Sequence, residues 1–302
     1  MTTCVLCSAS LEANSRLIWQ KDGFDIVKCA SCGLIFRADC PDEGALSEIY
    51  DEHYFRDDPQ APDRHGYADY LTDAPLHRAN ARRRLALLSS LGPHPGRLLD
   101  VGSAAGFFVD EARRAGWEAS GVDVSESMVS WARDQLGVPS QAVAFSQAEV
   151  PSDLDVVTMW DYIEHSIDPR GDLVKAAEHL HTGGLLALST GDIGALTARL
   201  AGRRWHLLTP EHHNFFFDER SLGRLLKKAG FEIVDVKHRA AVYSGGHVLY
   251  KLSALTSVPT LRDWATRIGR SRLGGICVPL NLFDIMTVVA RRTGSASSPA
   301  AA

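Results

Sequence analysis

The sequence has no basic leader running into an apolar core at its start, MTTCVLCSAS, and no later stretch approaches ~18 uninterrupted apolar residues. Neither export nor membrane spanning is indicated, and a cytoplasmic protein is the expectation. Positive charge is not in excess either, since 32 Lys+Arg stand against 37 Asp+Glu for a formal net charge of -5. With a sequence pI near 6.2 there is no general attraction to phosphate backbones, and a nucleic-acid partner would need a local basic patch. Internal repeats are absent. Cysteine is scarce outside one place: four of the six fall between Cys4 and Cys32, and Cys40 and Cys277 stand alone. In a reducing compartment, such clustering points to metal ligation rather than to a disulfide framework.

What is present is ordinary globular material, 302 residues with 45% hydrophobic and 23% charged, enough for one large α/β domain and a small appendage. Residues 1–40 alternate short β-like runs (Arg16–Gln20, Phe24–Lys28, Leu34–Phe36) with cysteine turns. Residues 41–92 form a polar linker or cap with helical patterns near Ala45–Phe55 and Pro75–Leu91. From residue 93 to 292, short apolar runs alternate with helices: RLLDVG, FFVDEARRAG, ASGVDV, SESMVSWARDQLG, LDVVTMW, DPRGDLVKAAEHL, LLALST. Strict alternation predicts right-handed crossovers and a doubly wound, mostly parallel α/β sheet. Asp168 before Pro169, Asp218 before the helix ending at Gly230, and Ser125 before the one ending at Gly137 are the expected caps. FEIVDVKHRA and IMTVVARR read as two further strands, separated by an insertion over about 241–284 with a helix near Leu261–Arg270. The tail, 293–302, has nothing apolar to bury and is expected to be disordered.

Cys4-x-x-Cys7 and Cys29-x-x-Cys32 have the spacing by which two tight turns offer four thiolates to Zn²⁺, and Gly33 directly after Cys32 suits the turn around a metal. With every position a cysteine, no place is left for water or substrate, so the ion is expected to be structural. A unit of about 40 residues buries too little surface to fold alone, and zinc binding would stabilise it. Substrate recognition, a homodimer contact and simple packing on the larger domain are all open to it.

Asp100-Val101-Gly102-Ser103-Ala104-Ala105-Gly106 ends one strand and opens the helix at Phe107. Glycines there let a ligand approach the carboxyl edge of the sheet. Asp123 ends the next strand, near the ~20-residue distance at which such folds hold ribose hydroxyls by a carboxylate. Nicotinamide and S-adenosylmethionine (SAM) sites share that signal. The turn is not G-x-G-x-x-G, however, and LDVVTMW runs into Asp161-Tyr162-Ile163-Glu164-His165. On these residues the chain resembles the class I SAM-dependent methyltransferases over about Pro75 to Arg292. The resemblance implies a seven-stranded sheet closed by an antiparallel strand pair. It also implies that Asp100, Gly102, Ala104 and Gly106 lie along the methionine part of SAM, with Ala104 replacing the usual middle glycine. Asp123 would hold the ribose, Val143–Ser146 would flank adenine, and Asp161 would stand where strand four meets the active site.

SAM supplies its own leaving group, so the protein must place a nucleophile in line with the methyl carbon and, for a hydroxyl, remove its proton. A histidine is the usual base near pH 7, and the candidates are His165 after strand four and His212 and His213 after strand five. The Phe215–Phe217 run beside them reads as packing for the Asp218 helix. Asp161-x-x-Glu164-His165 also resembles the E-x-x-E-H motif with which ubiquinone-pathway O-methyltransferases and small-RNA 2′-O-methyltransferases hold a divalent ion; a metal-free site is the simpler reading. Arg82-Arg83-Arg84 is read as a solvated face. The function expected is methyl transfer to a small molecule, most simply to oxygen of a secondary metabolite or saccharide. An RNA methyltransferase gripping its substrate through the ribbon and a non-catalytic scaffold are the alternatives.

Overall fold

The computed structural model describes residues 2–41, 70–92, 94–244 and 277–294. The helix expected near Ala45–Phe55, the one near Leu261–Arg270 and nearly all of the tail lie outside the described residues.

Seven strands form the central sheet: β4 (Arg97–Val101), β5 (Glu118–Asp123), β6 (Ser140–Ala142), β7 (Leu154–Trp160), β8 (Leu180–Gly191), β10 (Phe231–His238) and β13 (Ile285–Arg292). Their order is β10-β13-β8-β7-β4-β5-β6. β13 runs antiparallel to β8 and β10, while the pairs among β4 to β8 are parallel. The chain moves outward from β4 through β5 to β6, then returns to place β7 on the other side of β4. This reversal opens a crevice at the carboxyl ends of β4 and β7, where open α/β sheets bind their ligands.

Both faces of the sheet are buried, which is why its strands read as continuous apolar runs. Leu98, Val156, Leu185 and Ala187 pack with helices α2 (Ala74–Ser90) and α3 (Phe107–Arg114). Their neighbours Leu99, Val157, Leu186 and Leu188 pack on the opposite face with α5 (Pro169–His179) and α7 (Glu219–Lys228). Helix α4 (Glu126–Trp131) continues into a π turn, Ala132–Leu136, closed by Gly137 at φ 64°. The caps follow the sequence: Asp168 accepts from the Gly171 N–H, and Asp218 and Ser221 form a reciprocal capping box. Ser125 occupies its N-cap position without a side-chain capping bond, its hydroxyl lying 3.2 Å from that of Ser127.

The N-terminal segment contains a short helix, α1 (Leu11–Asn14), and the strands β1 (Ser15–Lys21), β2 (Phe24–Cys29) and β3 (Ile35–Arg37). Its sheet acquires a fourth strand from far along the chain, β9 (Phe215–Phe216), giving the order β1-β2-β3-β9. Phe36, Leu6 and Leu34 join the same core as α5 and α7. The Phe215–Phe217 run, expected only to pack on the Asp218 helix, is thus divided. Phe215 and Phe216 pair with β3, and Phe217 is buried in the core that includes Leu222, Leu225 and Leu226. A short antiparallel pair, β11 (Ala241–Ser244) with β12 (Cys277–Leu280), brackets the insertion, and α6 (Leu196–Ala201) follows β8. No helix among the described residues is long and apolar enough to cross a membrane.

Asp218→Ala removes the acceptor for the Ser221 N–H at the start of α7, and should lower the stability of the fold by about 1 kcal/mol, measured by urea denaturation.

Candidate active site

At the crevice, Gly102 and Gly106 have φ of +77° and +72°. A Cβ on Gly102 would sit 2.9 Å from the Tyr162 ring, and one on Gly106 2.8 Å from Val138, so both positions need glycine for space as well as for conformation. Between them Ala104 is also left-handed, at φ 43°. The side-chain methyl that replaces the middle glycine therefore carries backbone strain. Asp123 holds this turn: its carboxylate accepts from the Ala104 N–H at 2.8 Å and from the Ser125 N–H at 2.9 Å. A carboxylate has about four acceptor positions, so capacity remains for two hydroxyls. Asp100 lies beneath the turn, accepting from Thr158 Oγ1 at 2.6 Å; burial pushes its carboxyl up to about 7 despite that bond.

Strand β7 ends in the turn Asp161–Ser166. Asp161 has φ 52°, which aspartate tolerates better than most residues. Its carboxylate pairs with Arg84 at 2.8 Å and accepts from Ser189 Oγ at 2.8 Å. Arg84 also covers the Trp160 ring at 4.6 Å. The arginine run expected on a solvated face thus sends one member into the site and another, Arg82, to Glu111 at 3.3 Å.

Three residues of this region converge. The Glu164 carboxylate and one ring nitrogen each of His165 and His213 lie within 4.8 Å of one another. The imidazole rings of His165 and His213 are 4.7 Å apart and nearly perpendicular. His165 Nδ1 lies 2.9 Å from the His212 carbonyl, and His213 Nδ1 2.9 Å from the Leu207 carbonyl. A carbonyl can only accept, so both Nδ1 atoms carry the proton and both Nε2 atoms present lone pairs. Glu164 is 5% exposed, and its Oε2 has no hydrogen-bond partner among the described residues. Burial, with Asp161 adding to it, pushes the Glu164 carboxyl up to about 8. Burial likewise pushes His165 down to about 4 and His213 well below its ordinary value. His212 enters the cluster through its main chain. Asp161, expected beside Glu164 and His165, is instead committed to Arg84 and Ser189.

The start of α2 covers the glycine turn. Tyr70, Leu71 and Ala74 pack on Ala104, Ala105 and Phe107, and His77 stacks with Tyr70 at 4.0 Å. Farther along α2, Asn80 bonds both the N–H and the carbonyl of Val242, at 2.8 and 3.1 Å, and so fastens β11 over the crevice. Burial pushes the adjacent Tyr243 up to about 12, with the charges of Asp161 and Asp284 adding to it. Sequence reasoning missed Arg84, Tyr243 and Asn80 because each faces the site only through long-range packing. Arg84 entered the sequence reading only within the Arg82–Arg84 run assigned to a solvated face.

The four N-terminal cysteines form a second cluster, all Sγ atoms within 4.8 Å of one another. Cys4 and Cys32 are 3.5 Å apart and Cys7 and Cys29 3.6 Å, much longer than a disulfide. Sulfurs bound tetrahedrally at about 2.3 Å from one ion would be roughly 3.8 Å apart. Burial raises the Cys29 thiol, but N–H groups of Cys32 and Ser31 together with neighbouring thiols bring it down to about 7.

Residues 73–236 match a family model described as a methyltransferase domain. The ubiquinone biosynthesis O-methyltransferase of Xanthomonas axonopodis pv. citri is 29% identical over 202 residues, covering 61% of this chain and 82% of that protein. The enzyme of the same name from Thiobacillus denitrificans is 29% identical over 198 residues, covering 61% and 84%. Among solved structures, magnesium protoporphyrin IX methyltransferase from Synechocystis PCC 6803 with bound S-adenosylhomocysteine (SAH) superimposes with a TM-score of 0.52 at 15% identity, covering 83% of this chain and all of that one. A putative methyltransferase from Haloferax volcanii in complex with the Trm112 activator gives 0.52 at 18% identity, covering 74% and 93%. These two establish a shared fold.

Relief of the strain at residue 104 is measurable. Ala104→Gly should raise stability by up to about 1 kcal/mol, while Ala104→Val should lower it by more than about 2 kcal/mol, since a β-branched residue fits the left-handed region poorly. Paired thermal midpoints check this.

Proposed function

Because the chain belongs to the methyltransferase-domain family and is a SAM-dependent methyltransferase, we propose that it methylates a hydroxyl oxygen of a small molecule at the Glu164–His165–His213 cluster, with a divalent cation held there. The observation that carries this reading is the donor set: the buried Glu164 carboxylate and one ring nitrogen each of His165 and His213 within 4.8 Å of one another, on imidazoles whose Nδ1–H bonds to carbonyls leave the lone pair on Nε2. Such a set, two imidazoles and one carboxylate, suits a cation that takes nitrogen as well as oxygen, such as Zn²⁺, Fe²⁺ or Mn²⁺, better than Mg²⁺. A bound divalent cation polarises an acceptor hydroxyl and lowers its pKa, which a methyl transfer to oxygen needs.

The chain's own residues do the rest. Asp123 has acceptor capacity for the ribose hydroxyls, the 102–106 turn lets the methionine part approach main chain, and Asp100 sits beneath it. Val143–Ser146, the assigned adenine neighbour, follows β6 at the same sheet edge. Histidines held neutral at pH 7 act better as lone-pair donors to a cation than as bases, so His165 and His213 are assigned to holding the ion and orienting the hydroxyl. His212 is assigned to fixing the His165 ring. The name of the ubiquinone-pathway relatives supports oxygen as the acceptor atom. The net charge of -5 supports a small molecule over nucleic acid.

We also infer that Cys4, Cys7, Cys29 and Cys32 hold a structural Zn²⁺, on the strength of four Sγ atoms within 4.8 Å of one another and two of their separations at 3.5 and 3.6 Å. Cys29→Ser should release the zinc, by metal analysis, while the α/β domain still binds SAH; full zinc retention would refute the four-cysteine site.

The function itself is tested by turnover with a panel of phenols, catechols and nucleotide-linked saccharides. Chelation should abolish methyl transfer and Mn²⁺ or Zn²⁺ restore it. Glu164→Gln, His165→Ala and His213→Ala should each lower kcat by about 10²-fold or more with SAH affinity nearly intact. Equal rates with and without chelator would exclude the cation, and methylation confined to RNA would favour a nucleic-acid enzyme. Asp123→Ala should weaken SAH binding by about 1.5 to 3 kcal/mol in calorimetry.

The pH dependence follows from Glu164. Its carboxyl must lose a proton before it can bind a cation, so Mn²⁺ affinity should climb with pH up to about 8 and level off above. In the cation-free protein the same raised value favours the protonated, folded form. Its contribution to stability is present below the ordinary 4.5 and is lost as pH rises to about 8.

A further inference from the structure

The segment that carries His213 is bonded to the N-terminal ribbon as well as to the turn after β7. Its strand β9 has only two residues and, among the described strands, pairs only with β3: Ile35 opposite Phe216 and Phe36 opposite Phe215. A two-residue strand cannot support itself: the Phe215 N–H goes to the Glu164 carbonyl, and on its other side β9 has β3 as its ladder partner. Further bonds run the same way. The Arg37 N–H donates to the Asn214 carbonyl at 2.9 Å, Arg37 Nη1 donates to the Pro210 carbonyl at 2.9 Å, and Lys21 Nζ donates to the Leu208 carbonyl. Arg37 is only 7% exposed. Burying a guanidinium is costly: Nε pairs with the Asp39 carboxylate at 3.0 Å, Nη2 donates to the Asp39 carbonyl, and Nη1 alone reaches across to Pro210 in the histidine segment.

Asn214 passes the constraint on. It is 2% exposed, its Nδ2 donates to the His165 carbonyl at 2.8 Å, and its own N–H donates to the Glu164 carbonyl at 2.8 Å. One residue therefore joins the ribbon strand, the turn bearing Glu164 and His165, and the chain position next to His213.

We propose that the N-terminal ribbon completes the active site, with Arg37 and Asn214 as positioning residues that bring His213 into register with Glu164 and His165. The cysteine turns are then required by the chemistry of the larger domain, through main-chain bonds and not through contact with substrate. The glycine turn and Asp123 lie on β4 and β5 and share none of these bonds, so cofactor binding and cluster geometry separate when the ribbon is disturbed. This rests on the assignment of Glu164, His165 and His213 to a cation.

The test uses the full chain and three readouts: SAH affinity by calorimetry, Mn²⁺ affinity by electron paramagnetic resonance, and the exchange-protected Nδ1–H signals of His165 and His213 by nitrogen-15 NMR. Arg37→Met keeps the stem and removes the donors to Pro210; Asn214→Ser removes the side-chain bond to His165 and leaves the β3–β9 ladder. Each should weaken Mn²⁺ binding by about 10-fold or more, erase or broaden both Nδ1–H signals, and leave SAH affinity within about 2-fold, since no bond to the cofactor turn is cut. Arg37→Lys, which retains a donor, should recover part of the Mn²⁺ affinity.

If Arg37→Met loses SAH binding as well, the fold has failed and Arg37→Lys decides, a weakened Mn²⁺ affinity with SAH binding intact supporting the ribbon's role and a wild-type one overturning it. Wild-type Mn²⁺ affinity and both signals intact, in a variant that still binds SAH, overturn the proposal. A wild-type protein that binds no Mn²⁺ but shows protected Nδ1–H signals, lost in the variants, would refute the cation and leave the positioning role standing.

Discussion

The carbonyl of Glu164 accepts two main-chain N–H groups, from Asn214 and Phe215, at 2.8 and 3.1 Å. That bifurcated contact joins the turn after β7 to the segment after β8, two stretches the doubly wound topology brings to the same edge but does not by itself lock together. With it in place His213 faces His165, Asn214 reaches the His165 carbonyl, and β9 is aligned for its ladder with β3. A buried carbonyl with no donor would cost a few kcal/mol, so the two turns and the ribbon strand are held as one unit.

Charge is distributed with similar economy. Asp100, Asp123 and Glu164 all lie under or beside the crevice, and burial raises each. Arg84 is the cation that lowers Asp100 and pairs with Asp161. Carboxyls raised in this way hold their protons more tightly near neutral pH, and a positive sulfonium or a bound cation beside them favours the ionised form. Arg84 also keeps Asp161 out of the Glu164 cluster: beside it the Asp161 carboxylate is already satisfied.

The helices and strands of the catalytic domain were legible because local rules agree with the tertiary fold. Asp168 and Asp218 cap as their positions imply, Gly137 and Gly230 end helices at positive φ, and apolar runs of strand length alternate with helical patterns. The glycine turn after β4 was legible because close approach to main chain demands small residues at fixed offsets from a strand end. The substitution at Ala104 was visible as a departure, and its cost was not, since only coordinates give its φ.

By itself the sequence determined the doubly wound sheet, the cysteine cluster, and the residues at the carboxyl ends of β4, β5 and β7, all of which depend on spacing along a few turns of chain. Tertiary structure decided which histidine joins Glu164 and His165, that Arg84 enters the site, and that Phe215 and Phe216 complete the ribbon sheet. These pairings join residues that are remote in sequence, such as Phe36 with Phe215, and no local pattern records them. They arise when buried main-chain groups left open at the end of one element find their only partners on another.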